Sequence, residues 1–161
     1  MSEFKNGNHD DDIIVSEEGL VFNPFNPLNI KIKLNDVQSI LTKYNIPATV
    51  DNISLYERAF VHRSYVKRPD YENAQQTITI VERPDNCLPL SSKSNERLEF
   101  LGDGILEAIT KYYLYRRFPK ENEGFMTEKK IAIVKNEAIG RIAYEMGLHK
   151  WLILSKNAEE K

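Results

Sequence analysis

Residues 95–103 read Asn-Glu-Arg-Leu-Glu-Phe-Leu-Gly-Asp, a run that packs carboxylates among large apolar side chains. On a helix, Glu99 and Asp103 stand one turn apart on one face, and Glu96 lies three residues before Glu99 on the same side. Two carboxylates about 6 Å apart at an effective dielectric near 20 repel by roughly 3 kcal/mol. Acids crowded beside Leu98, Phe100 and Leu101 therefore call for a proton, a basic side chain or a divalent cation. A plain solvated face is the competing reading, because like charges at this spacing cost only about 0.2–0.5 kcal/mol on an exposed helix. Two details weigh against it. Gly102 and Gly104 flank Asp103 inside the run, each at a cost of about 1 kcal/mol relative to alanine. The acids are also not interleaved with lysines, as on a salt-bridged surface helix.

The elements that must hold this run are helical. A face of Val37, Ile40, Leu41 and Tyr44 predicts a helix from Asn35 to Tyr44, stopped by Pro47. Ser54 and Glu57 have the spacing of a capping box, predicting a helix that sends Leu55, Ala59 and Phe60 to the core and ends near His62–Tyr65. The acidic helix runs from Ser94 or Asn95 to Phe118, ahead of Pro119, with Leu98, Leu101, Ile105, Ala108, Ile109 and Tyr112 as its buried stripe. Glu107 extends the acids by a turn and reads as solvent-facing or salt-bridged. Lys111, Arg116 and Arg117 suit the helix dipole at its C-terminal end. Thr127 caps a final long helix carrying Ile131, Val134, Ala138, Ile142 and Met146, and Gly147 stops it. The fold class is all-α.

Two stretches break this rhythm. Residues 1–33 read as a flexible arm, with an acid run at His9–Asp12 and Asn-Pro-Phe-Asn-Pro at 23–27. Residues 66–93 contain Pro69, Pro84 and Pro89 and read as a long insertion, with a brief strand in the alternation of 77–81. Residues 34–161 are then one domain.

The chain of 161 residues is long enough for a real core, and 41% hydrophobic with 29% charged residues is ordinary for a soluble protein. No apolar run approaches the roughly 20 residues that span a bilayer. The N-terminus lacks the form of a signal peptide, so an intracellular protein is the default. Cys87 is the single cysteine, which excludes an internal disulfide. A net charge of −2 argues against holding nucleic acid by bulk charge, but not against an enzyme whose metal ions screen phosphates.

With these segments in order, the chain resembles the ribonuclease III family. Residues 95–103 match the family's most diagnostic stretch, Tyr56–Tyr65 its early helix ending in His-x-Ser-Tyr, Tyr113–Pro119 the segment beyond, and Glu123–Thr127 its Glu-Gly-x-Leu-Thr turn. The resemblance implies a helical endonuclease domain, forming a two-fold homodimer, that cuts double-stranded RNA in RNA processing. It implies that Glu99 and Asp103 are catalytic Mg²⁺ ligands (Mn²⁺ being the alternative ion), that Glu96 helps bind the metal, and that Phe100 and Leu101 lie at the dimer interface. His62 and Ser64 are packing and turn residues in this reading. The family also uses an Asp-x-x-Glu pair from a later helix, and no Asp follows Asp103. The expectation is thus a domain incomplete at its C-terminus, with Leu148, Trp151, Leu152 and Leu154 short of partners. Two functions stand open: a magnesium-dependent endoribonuclease, or a catalytically inactive dimerisation or RNA-associated scaffold of the same fold.

Overall fold

The computed structural model describes residues 13–16, 19–68 and 78–160. The acid run at 9–12 and residues 69–77 of the insertion lie outside them. The chain divides into two compact units, one of residues 1–30, 61–94 and 153–161, the other of residues 31–60 and 95–152.

The second unit is helical, as the sequence predicts. It holds α1 (Leu34–Lys43), α2 (Ile53–Ala59), α3 (Glu96–Arg117), α4 (Glu123–Val134), α5 (Asn136–Glu145) and a 3₁₀ turn at Leu148–Trp151. Helix α1 begins a residue earlier than its apolar pattern suggests, because the Asp36 carboxylate accepts the Lys33 backbone N–H at 2.9 Å. The cap of α2 is Asn52, not Ser54: the Asn52 side chain accepts from the Ser54 N–H at 3.1 Å and from its hydroxyl at 2.6 Å. Glu57 does not reach back but pairs with Lys31 at 2.9 Å, and Leu55 and Ala59 are exposed. The acidic helix α3 has the expected bounds, its end set by Phe118, which Pro119 holds away from helical geometry.

The expected final long helix is two. Asn122, not Thr127, caps α4 by accepting the Phe125 N–H at 2.9 Å. At Lys135 the backbone turns extended (φ −64°, ψ 144°), so this residue closes α4 and opens α5. No proline or glycine marks that break. Gly147, at φ 76°, ends α5 in the left-handed region, where glycine carries no Cβ penalty. Trp151 finds a partner in Phe60, edge to face at 6.3 Å between ring centres.

The first unit contains what periodicity of helices cannot predict. Strand β1 (Ile13–Ser16) pairs antiparallel with β2 (Gly19–Phe22), and β2 pairs parallel with β3 (Ile78–Ile80), the brief strand of the insertion. Residues 13–30, read as arm, thus carry two strands and core residues: Phe22, Pro24, Phe25 and Asn26 are buried. The core joins Phe25, Val61, Tyr65, Cys87 and Ile153, with Val66, Leu88 and Leu90 packed against it. A parallel bridge links Val61 to Ile153. The backbone N–H and C=O of Leu154 are both held by the Asn29 side chain, at 3.0 and 2.9 Å. Helix α6 (Lys156–Glu159) follows, capped by Ser155 and tied to the buried Asn26 amide through the Glu159 carboxylate. His62 opens the 3₁₀ turn Arg63–Tyr65. Its Nδ1 accepts the Ser64 N–H at 3.2 Å, and the Ser64 hydroxyl in turn accepts the Ser155 N–H at 3.0 Å.

Candidate metal and nuclease site

Helix α3 displays two different faces. At roughly 100° per residue, Glu96, Glu99, Asp103 and Glu107 share a side with Thr110 and Leu114. Thr110 and Leu114 are the buried residues of the helix, and this is the side that packs on α4. The predicted core stripe lies nearly opposite and, beyond the half-buried Leu98, is not covered. Leu101, Ile105, Ile109 and Tyr112 are exposed, Ile109 by 61%. The pattern marks an apolar face correctly; the helices of this unit simply pack on the other one. Phe100 is 86% exposed, so the two residues expected at a dimer interface, Phe100 and Leu101, both stand in solvent.

Along the acid face the charges meet different fates. Glu107 is clamped by Lys111 of its own helix at 2.9 Å and by Lys130 of α4 at 3.2 Å. The hydrogen bonds and charge of these two lysines hold its carboxyl below the ordinary carboxylate range, Lys111 contributing most. Both lysines also line a cleft of about 470 Å³ with Leu114, Tyr115, Glu123, Met126 and Thr127. The sequence carried half of this signal, the i, i+4 pair Glu107–Lys111; the contribution of Lys130 depends on how α4 packs.

Glu99 and Asp103 differ. Both are exposed, and among the described residues neither has an ion-pair partner. Glu96 is exposed at the first turn of the helix. Among the described residues no three His, Cys, Asp or Glu side chains converge as a ready-made metal cage. The donors fit Mg²⁺ nonetheless: all are hard oxygens, and that ion commonly keeps several waters while one or two carboxylates hold it. The Cβ positions of Gly102 and Gly104 would meet nothing within 4 Å, so both glycines leave the backbone beside Asp103 open.

The ribonuclease-III-like family model matches residues 52–161, more than half of the chain. The chain belongs to the ribonuclease-III-like family. Relatives in this family include a probable ribonuclease 3 of Acanthamoeba polyphaga mimivirus, 30% identical over 84% of this chain and 24% of the viral protein. Ribonuclease 3 of Azobacteroides pseudotrichonymphae is 36% identical over 65% of this chain and 33% of its own length. This ribonuclease-III-like chain thus spans a quarter to a third of these relatives. The nuclease domain of ribonuclease III from Campylobacter jejuni, a structure described for flexibility in a region involved in dimer formation, superposes with a TM-score of 0.55. It covers 77% of this chain and 68% of that one at 22% identity, and so speaks for the shared fold. No helix among the described residues is long and apolar enough to cross a membrane.

Proposed function

We propose that this chain is part of an endoribonuclease that hydrolyses phosphodiester bonds in double-stranded RNA, with Glu99 and Asp103 as Mg²⁺ ligands and Glu96 as an accessory one. The observation that carries the reading is the contrast along α3: in a ribonuclease-III-like domain, Glu107 is neutralised by two lysines while Glu99 and Asp103, among the described residues, are left without a cation. When bound, Mg²⁺ would supply an activated water and offset charge building on the phosphate. The protein's part is to hold two carboxylates one turn apart on a rigid helix, so that the ion is placed before the substrate arrives. Duplex RNA would be read by shape and 2′-hydroxyls, with little sequence preference. The uncovered stripe of α3, which includes Leu101, together with the exposed Phe100, is the surface we assign to pairing of two copies. Pairing would bury apolar side chains now in water and bring a second acid face into one assembly.

The test is cleavage of a long RNA duplex with and without Mg²⁺ by the chain extended through an Asp-x-x-Glu helix of the family and by its Asp103→Asn variant, alongside a Mg²⁺ titration followed by calorimetry. We expect metal-dependent cleavage, lowered on the order of 100-fold or more in the variant with its fold unchanged, and weaker Mg²⁺ binding. Unchanged cleavage and binding in Asp103→Asn would remove Asp103 from the site. Absence of cleavage with Mg²⁺ bound and copies paired would favour the non-catalytic scaffold.

A further inference from the structure

Although the chain carries a net charge of −2, it contains stretches with no acid, and two of them meet in the fold. Residues 61–68 (Val-His-Arg-Ser-Tyr-Val-Lys-Arg) and 87–94 (Cys-Leu-Pro-Leu-Ser-Ser-Lys-Ser) hold Arg63, Lys67, Arg68 and Lys93 and no Asp or Glu. Far apart in sequence, they are stitched together in the fold. Val66 bridges Ser91 in parallel. The Lys67 N–H donates to the Ser91 carbonyl at 2.9 Å, and the Ser91 N–H donates to the Tyr65 carbonyl at 3.2 Å. Below this seam Tyr65 is fully buried, and its hydroxyl donates to the Leu88 carbonyl at 2.8 Å. Burial pushes the Tyr65 phenol above its ordinary pKa, so the hydroxyl remains a donor throughout the neutral range.

The apolar side chains of both segments point into the core with Phe25 and Ile153, and the cations point out. Arg63, Lys67 and Lys93 are all exposed, and among the described residues none of the three has an ion-pair partner. Ser92, also exposed, adds a hydroxyl beside them. Lys67 and the leg that carries Lys93 are thus joined by backbone hydrogen bonds, with Arg63 in the turn just before them, above a buried aromatic, within a chain whose overall charge repels polyanions. Local concentration of cations without interleaved acids is the electrostatic footprint of phosphate contact.

We propose that this seam, built from the 63–67 turn and the returning leg of the insertion at 91–93, grips the sugar-phosphate backbone of duplex RNA through Arg63, Lys67 and Lys93. The proposal rests on the RNA-directed reading above and gives the insertion a purpose, since its returning leg brings Lys93 to the turn. The contacts are to phosphate, so they raise affinity without selecting sequence.

The test is binding of a long RNA duplex to the full chain without divalent metal, so that cleavage does not enter, across a salt series. A triple variant, Arg63→Ala with Lys67→Ala and Lys93→Ala, is compared with the charge-retaining set Arg63→Lys, Lys67→Arg and Lys93→Arg, and with Lys129→Ala plus Lys135→Ala on α4 and at its end. Three phosphate contacts at a slope near −0.9 each make wild-type affinity fall by an extra factor on the order of forty between 50 and 200 mM salt. That extra dependence should vanish in the alanine triple, persist in the charge-retaining set, and persist in the α4 control. Wild-type binding with the same salt slope in the alanine triple would overturn the seam and leave the RNA reading standing. Equal losses in the α4 control would also overturn it, by showing diffuse attraction. No binding of duplex by the wild type would bring down the RNA reading and the seam with it.

Discussion

The two units of this chain solve the burial problem in opposite ways. Around Tyr65, segments remote in sequence converge: Phe25, Val61, Cys87 and Ile153 close a small core, and single side chains such as Asn29 satisfy both backbone groups of Leu154. Around α3, neighbours in sequence pack on one another, and the helix keeps a long apolar face in water. The first arrangement is closed and stitched. The second is ordered but open, which suits the ion and the second copy of the chain proposed for its exposed faces.

The contrast breaks most clearly in stability. Tyr65→Ala removes a fully buried aromatic and the hydrogen bond to Leu88, and should cost about 3–5 kcal/mol in denaturant unfolding. Ile109→Ala on the open face of α3 should stay within about 0.5 kcal/mol at dilution that favours single copies. A large loss in the second variant there would mean that something in the chain covers this face. Asn29→Ala sharpens the comparison further. It orphans the N–H of Leu154 and leaves its C=O only the longer bond from the Asn26 amide at 3.3 Å, and should cost about 1–2 kcal/mol, with faster amide exchange at Leu154 as the local readout.

These regions were also unequally legible. The bounds of α3 and the glycine stop at 147 followed from spacing, because helical periodicity is local, whereas spacing alone leaves Glu107 either solvent-facing or salt-bridged. Which face of α3 would be buried did not follow. A stripe of Leu101, Ile105, Ile109 and Tyr112 shows that a surface is apolar, and says nothing of what lies against it. The packed role of residues 13–30 was hidden for another reason. The Asn-Pro-Phe-Asn-Pro stretch at 23–27 reads as part of an arm, yet the Asn26 and Asn29 amides hold a segment some 125 residues away. The seam at Ser91 was equally hidden, since one parallel bridge leaves no period to detect. The acid positions were plain in the sequence; that Lys130 reaches Glu107 depended on the approach of α4.

The smallest expected effect is on the acid limb of stability. Because Glu107 has its folded pKa lowered, the stabilisation from its lysine clamp is complete above the ordinary glutamate range and fades as pH falls through the lowered value. The difference in melting temperature between the chain and Glu107→Gln should therefore be slight near neutrality and vanish in strong acid. A difference that grows on acidification would contradict the assignment of the clamp.

The most direct test of the central claim is Mn²⁺ binding, followed by electron paramagnetic resonance, in the chain, in Asp103→Asn and in Glu107→Gln. The account predicts bound Mn²⁺ in the first, at least a tenfold weaker affinity in the second, and little change in the third. Equal binding by Asp103→Asn, or loss in Glu107→Gln alone, would move the cation away from Glu99 and Asp103 and contradict it.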